Sequence, residues 1–225
     1  MGFYVKNTTL TKIADVICPH YCVSCGGVGA VLCDNCKKHN SAERVGCCVK
    51  CGKVGVGMCK KCKFPFFDGC FVGYIDELVG KLAKKYKYKS MRVLSGVLAE
   101  MLVEVLPCLP ENTMVIPIPT IRRHVRERGF GHTERLAKEV AKSRGWETKK
   151  IIGRRKNVVQ VGSDRAMRQK QVKGAFCVYE KLDPSKTYMI IDDVWTTGAT
   201  VTEACRVLKK AGAERVFVAV LARGR

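Results

Sequence analysis

Residues Met189 to Thr200 read MIIDDVWTTGAT, an apolar strand end followed by two adjacent carboxylates and a turn of threonine and glycine that opens a helix. A carboxylate accepts hydrogen bonds and donates none, so Asp192 and Asp193 suit sugar hydroxyls or a hydrated Mg2+ and not a phosphate. The phosphate belongs further along. Backbone amides of Trp195 to Thr200 can converge on a dianion, and a helix beginning near Thr200 adds the favourable end of its dipole. Acid pair and turn together have the chemistry to hold a phosphorylated ribose.

A second set of chemically capable residues fills the first quarter. Cys22-x2-Cys25-x7-Cys33-x2-Cys36 is followed by Cys48-x2-Cys51-x7-Cys59-x2-Cys62, each cysteine displaced by 26 positions. The text between them repeats too, CVSCGGVGAVLCDNC against CVKCGKVGVGMCKKC. Each CxxC sets two sulfurs on one tight turn, and two such turns supply the four soft ligands of tetrahedral Zn2+. Two structural Zn2+ ions are therefore expected. Fe–S is the alternative the same ligands allow, and a thioredoxin-type dithiol would need only one pair in a βαβ context. Pairing within each repeat and pairing interleaved between repeats both fit the spacing. Cys18, Cys47, Cys70, His20 and His39 are spare candidates. Cys108, Cys177 and Cys205 lie in apolar text and are expected to be core thiols.

Basic residues cluster in three places. Met114 to Ile118 reads as a short buried strand, and the loop PTIRRHVRERGFGH after it carries Arg122, Arg123, Arg126 and Arg128 ahead of a helix over Thr133 to Ser143. Loops leaving the carboxyl ends of strands build sites in α/β folds, and guanidinium forks pair bidentately with oxyanions, although a generic basic surface helix would also explain these arginines. Arg154 to Lys173 is polar and aperiodic, which predicts either a covering flap with Gln160, Arg165 and Arg168 or a disordered segment without a role. Lys84, Lys85, Lys87 and Lys89 with Tyr86 and Tyr88 offer either a nucleic-acid stripe or a solvated face whose tyrosines cover the core.

The elements that must position these groups follow from periodicity. Tyr74 to Leu106 has helical spacing and predicts two helices separated around Tyr86 to Ser90. Thr187 to Asp192, helix Thr200 to Lys210, Gly212 as cap and Val216 to Ala222 predict one βαβ unit with parallel strands. The expected fold is α/β, a mostly parallel sheet with helices on both faces, over 71–225, preceded by a small cysteine-rich domain over 1–70. Neither the glycine-rich dinucleotide fingerprint nor the Walker phosphate loop is present, which argues against simple nicotinamide or ATPase chemistry. There is no apolar run long enough for a signal or a membrane span, and 11 of 14 cysteines fall between Cys18 and Cys70, so a reducing cytoplasm is the expected compartment. The formal net charge is +21. Eight thiolates closing two Zn2+ sites would leave about +17, still attractive to nucleic acid or phosphorylated metabolites.

IIDDVWTTGAT resembles the PRPP-binding motif of type I phosphoribosyltransferases. With the duplicated cysteine pairs, VIPIP followed by RERGF, and the distal KGAF, the chain from Ile17 to Arg223 resembles the ComF family of competence-associated proteins. That resemblance implies a double zinc ribbon and a phosphoribosyltransferase domain. It implies Asp192 and Asp193 on the ribose 2′- and 3′-hydroxyls, and Thr196, Thr197, Gly198, Ala199 and Thr200 around the 5′-phosphate. Pro119 and Thr120 would lie near pyrophosphate, Arg126 and Arg128 would offset the charge developing on it, and Mg2+ would accompany PRPP. Gly131 and His132 stand where family proteins often have Asn and Gln, and Ser163 and Gln171 likewise depart from the flap pattern. The implied activity is transfer of phosphoribosyl to an unknown nitrogen acceptor with a role in DNA uptake. The alternative is a zinc-dependent single-stranded-DNA-binding protein, working with competence and DNA-processing partners, whose PRPP pocket is regulatory or vestigial.

Overall fold

A computed structural model of the chain describes residues 19–39, 48, 49, 51, 53, 62, 64, 66–74, 82, 83, 85, 86, 92–155 and 172–223. It divides into two compact units, Met1–Ala42 and Glu43–Arg225. The second cysteine repeat thus belongs to the larger unit. In the smaller unit an antiparallel bridge joins Tyr21 and Val28, and a short helix α1 spans Asp34–His39.

The larger unit is built on a five-stranded sheet. Its strands are β1 (Gly69–Tyr74), β2 (Thr113–Pro117), β3 (Glu147–Thr148), β6 (Thr187–Trp195) and β7 (Arg215–Arg223). They lie in the order β1-β7-β6-β2-β3, and every pairing is parallel. A separate antiparallel pair, β4 (Ile152–Arg154) with β5 (Phe176–Val178), stands apart from the sheet. The helices are α2 (Leu94–Val105), α3 (Arg122–Arg128), α4 (His132–Arg144) and α5 (Ala199–Lys210). Among the described residues no helix is long and apolar enough to cross a membrane.

Alternation along the strands sorts the layers. Tyr188, Ile190, Val216, Val218 and Val220 share one apolar cluster with Val201, Ala204 and Leu208 of α5. The intervening Met189, Ile191, Ala219 and Leu221 are also buried, and a two-residue period turns them to the other face. Helices α2 and α4 pack together and against the strands, so the sheet has helices on both faces as expected. Leu98, Leu136 and Leu208 are fully buried, and each such side chain stabilises the fold by about 1.5–3 kcal/mol. Helix α4 forms because Leu136, Ala137, Val140 and Ala141 recur on one face, with Glu134 in the first turn and Lys142 and Arg144 in the last, favouring the helix dipole.

Four expectations need correction. Tyr74 belongs to β1 and not to a helix, and β1 crosses the 70/71 boundary. The segment after Pro119 is not an open loop, because Arg122–Arg128 forms α3, held by Arg123–Glu127 pairing one turn apart and ended by Gly129 at φ 72°. Cys108 is exposed, whereas Cys70 and Cys205 are fully buried core residues. Strand β6 does not stop at Asp192 but continues to Trp195, its last residues in register with Ala222 and Arg223 of β7.

Candidate functional site

The extended β6 decides how the acid pair is presented. Asp192 and Asp193 are successive strand residues, so their carboxylates leave opposite faces of the sheet. Both are buried. Each accepts a hydrogen bond from the next amide, Asp193 N to Asp192 Oδ1 and Val194 N to Asp193 Oδ1, both at 2.9 Å. Asp193 turns toward α4, where its Oδ2 lies 3.4 Å from His132 Nε2. Asp192 acts on Arg154 of β4. Burial pulls the Arg154 guanidinium below its ordinary range, and the Asp192 charge opposes that pull. Arg154 also donates from Nε to Pro119 O (3.2 Å) and stands 5.1 Å above the Phe176 ring.

His132 is the junction of this site. Its Nδ1 is 3.4 Å from Thr120 Oγ1 and 3.3 Å from Arg128 Nη1, while its backbone oxygen accepts the Tyr86 hydroxyl at 2.7 Å. Thr120 meets Thr133 at 3.1 Å, and Thr133 donates to Ile118 O at 2.6 Å, which fixes the segment leaving β2 beside the tip of β6. Tyr86 is buried against Phe130, so it is a core tyrosine and not a base-stacking surface. Nothing in the local sequence marks His132 as functional except its departure from the pattern around RGF.

Beyond β6 only Thr196, Thr197 and Gly198 separate the strand from α5. Gly198 has φ 74°, and a Cβ there would collide with the Trp195 indole. The glycine is required twice over, by the left-handed turn and by the ring above it. Thr197 Oγ1 accepts from Ala199 N at 3.3 Å and Gly198 O accepts from Thr202 N at 2.8 Å. Among the described residues the amides of Thr197 and Gly198 have no protein acceptor, and those of Thr200 and Val201 have none by helix geometry. Trp195 is buried, with Phe64 and Phe67 meeting its face edge-on at centroid distances of 5.7 and 6.2 Å.

The structure therefore gathers Asp192, Asp193, Thr196, Thr197, Gly198, Ala199 and Thr200 at one strand end, with Pro119, Thr120 and Arg128 joined to them through Arg154 and His132. Arg126 is not gathered. It is exposed on α3 and has no hydrogen bond or ion pair among the described residues. Gln160, Ser163, Arg165, Arg168 and Gln171 lie outside the described residues, as do Cys18, Cys47, Cys59, Lys84, Lys87, Tyr88 and Lys89. What is described is the root of that segment. Arg155 N donates to Ala175 O, and Gly174 N donates to Glu203 Oε1 at 2.7 Å.

The cysteines pair within each repeat and not between repeats. Sγ atoms of Cys22, Cys25, Cys33 and Cys36 lie within 4.8 Å of one another, and so do those of Cys48, Cys51 and Cys62. The Cys25–Cys33 separation is 3.7 Å, close to the edge of about 3.8 Å for a sulfur tetrahedron with Zn–S near 2.3 Å. Both clusters can therefore hold a zinc-type ion. Burial raises the Cys22 pKa, but amides of Cys25, Cys33 and Ser24 outweigh it and bring the thiol down to about 6. For Cys36, a Ser24 hydrogen bond pulls down while the sulfurs of Cys33, Cys25 and Cys22, with burial, push up to about 12. Four thiolates repel one another in this way until a cation compensates them.

Residues 131–225 match the phosphoribosyl transferase domain family. The DNA utilization protein YhgH of Salmonella typhi is 34% identical over 118 residues, covering 51% of this chain and 50% of that protein. Competence protein F of Haemophilus influenzae is 26% identical over 167 residues, covering 68% and 71%. The chain is a distant homologue of these competence proteins. It spans about half the length of the YhgH relatives it matches. Among solved structures, the allosteric regulatory enzyme of purine biosynthesis is similar at 17% identity and TM-score 0.44, over 61% of this chain and 30% of that one.

Proposed function

We propose that the chain binds PRPP with Mg2+ at the tip of β6 and transfers its phosphoribosyl group to a nitrogen acceptor, in a process connected with DNA uptake. The observation that carries this reading is the three-residue turn between the acid pair's strand and α5, inside the stretch matching the phosphoribosyl transferase domain. The 5′-phosphate would take the amides of Thr196 to Thr200. Asp192 would accept a ribose hydroxyl from the β4–β5 side, and Asp193, oriented by His132, would serve the other. In the transfer a bond forms from the acceptor nitrogen to C1 as the C1–O bond to pyrophosphate breaks, with both electrons leaving on pyrophosphate. A proton carried by the nitrogen passes to solvent. Charge on the departing group would be offset by Arg128 and by Mg2+, a hard ion suited to phosphate and carboxylate oxygens.

Zn2+ in both cysteine clusters completes the reading, as a structural ion that supplies folding energy. The setting would be the cytoplasm. Calorimetric titration with PRPP and Mg2+ tests the pocket: saturable binding by the zinc-loaded protein, lost in the Asp192→Asn, Asp193→Asn variant, supports it, and no binding by the folded wild type removes it.

A second reading, binding of single-stranded DNA with the pocket as a regulatory site, draws on the net charge of +21 and on relatives named for DNA utilization and competence. Affinity for an oligonucleotide that falls steeply with salt and is relieved by PRPP would favour it; salt-steep binding indifferent to PRPP would mark a general polyanion surface.

A further inference from the structure

Beside the strand tip lies a cleft of about 740 Å3 between the segment following β2 and the β4–β5 pair. It shares Thr120 with the His132 junction and Arg154 with the surroundings of Asp192, so it borders the proposed sugar site. Among the described residues four cations line it, Arg122, Lys150, Arg154 and Arg155, and no carboxylate does. Two of the four are already committed. Lys150 pairs with Glu134 at 2.6 Å, and Arg154 is held by Pro119 O and Phe176. Arg122 and Arg155 are exposed, and neither has an acidic partner among the described residues. A cleft with two unspent guanidinium groups favours an anion that can take a bidentate fork.

The remaining wall is aromatic. Tyr179 is 72% exposed, an unusual position for a large ring. Its hydroxyl end lies across the backbone of Gly153 on β4, where any Cβ would collide with it. Glycine at this strand position gives up packing and conformational order, which is explained if the bare backbone is what seats the tyrosine ring. A solvent-facing ring beside two guanidinium groups that have no acidic partner among the described residues is a stacking platform with an anion clamp.

We propose that this cleft receives the acceptor, and that the acceptor is a planar heteroaromatic ring bearing a carboxylate or phosphate. The ring stacks on Tyr179 and its anionic group takes Arg122 and Arg155. This rests on the PRPP reading for the word acceptor, while the cleft's preference for anionic rings stands on its own residues.

The test titrates zinc-loaded protein, in Mg2+ with and without PRPP, with four probes: pyridine-3-carboxylate, pyridine-3-carboxamide, adenosine 5′-monophosphate and adenosine. At least one anionic probe is expected to bind about tenfold or more tightly than its neutral counterpart, and whether the carboxylate or the phosphate does so identifies the source of the charge. Arg155→Gln and Tyr179→Ala should each weaken that probe about tenfold while PRPP binding persists. Equal binding of charged and neutral rings, no binding of either anionic probe, or indifference to both substitutions would overturn the proposal. Loss of oligonucleotide binding in these variants, with no ring bound, would overturn it in favour of nucleic acid. An anionic ring that binds where PRPP does not would keep the cleft and sink the transferase reading; PRPP bound without any ring would do the reverse.

Discussion

The two cysteine repeats read as copies displaced by 26 residues, yet they keep different company. Around the first, hydrogen bonds run within the repeat: Cys22 N to Gly27 O, Val23 N to Val31 O, and Cys33 N to Cys22 Sγ. Around the second, Val49 is buried in the same apolar cluster as Phe67, Ile190 and Trp195. Cys62 stands two residues before Phe64, which stacks on Phe67 at 4.7 Å, and both rings brace Trp195. Trp195 in turn closes over Gly198 in the turn that opens α5. Identical ligand spacing thus serves two purposes. One knuckle organises its own small unit, and the other also buttresses the turn on which a phosphate would rest.

Breaking that comparison should give its largest effect at the ligands. Cys62→Ser is expected to weaken PRPP binding about tenfold or more, whereas Cys25→Ser should leave it within about twofold. In a Trp146→Phe background the emission of Trp195 reads the same event directly. Chelation should shift it to the red as the Phe64–Phe67 brace loosens, and the Cys25→Ser protein should behave like its parent. Equal effects from both knuckles would erase the distinction.

The bridge itself comes next. Trp195→Ala removes a buried indole at the hub of this packing and should cost about 3–5 kcal/mol in urea denaturation, with PRPP affinity falling alongside. Gly198→Ala sharpens the point at the turn. Strain at positive φ and the Trp195 ring together should cost about 1–3 kcal/mol, and Trp195→Phe in the same chain should relieve part of it.

The smallest effect is expected away from both knuckles, at Glu203. Burial raises its pKa, but the Arg206 ion pair and the Gly174 amide outweigh it, so the carboxyl sits below its ordinary range. A depressed folded pKa contributes stability that is complete above the ordinary glutamate value of about 4.3 and is lost as pH falls through the folded value. Glu203→Gln should therefore cost about 0.5–1.5 kcal/mol at neutral pH and flatten the acid limb of a Tm–pH profile.

What was legible in the sequence was local or periodic. The CxxC spacing announced both clusters, and the apolar faces of α4 and α5 announced the helices that frame the sheet. Gly212, at φ 105° just beyond α5, serves as the expected stop. Helix α3 was hidden because RRHVRER has a single aliphatic residue, and its order comes from charge pairing and a left-handed glycine instead of burial. Strand β1 was hidden because GCFVGY becomes a strand only by pairing with β7, nearly 150 residues later. The overrun of β6 past its aspartates has the same origin, since Val194 and Trp195 find Ala222 and Arg223 across the ladder. The His132 junction and the Phe64–Phe67–Trp195 brace are tertiary facts, with no spacing in the sequence to betray them.

The most direct measurement is a crystal structure of the zinc-loaded protein with PRPP and Mg2+. The 5′-phosphate is expected against the amides of Thr196 to Thr200, with Asp192 on a ribose hydroxyl and Trp195 still closed over Gly198. A phosphate bound elsewhere, with that turn unchanged and the acid pair still turned to His132 and Arg154, would contradict the assignment of this strand tip as the site.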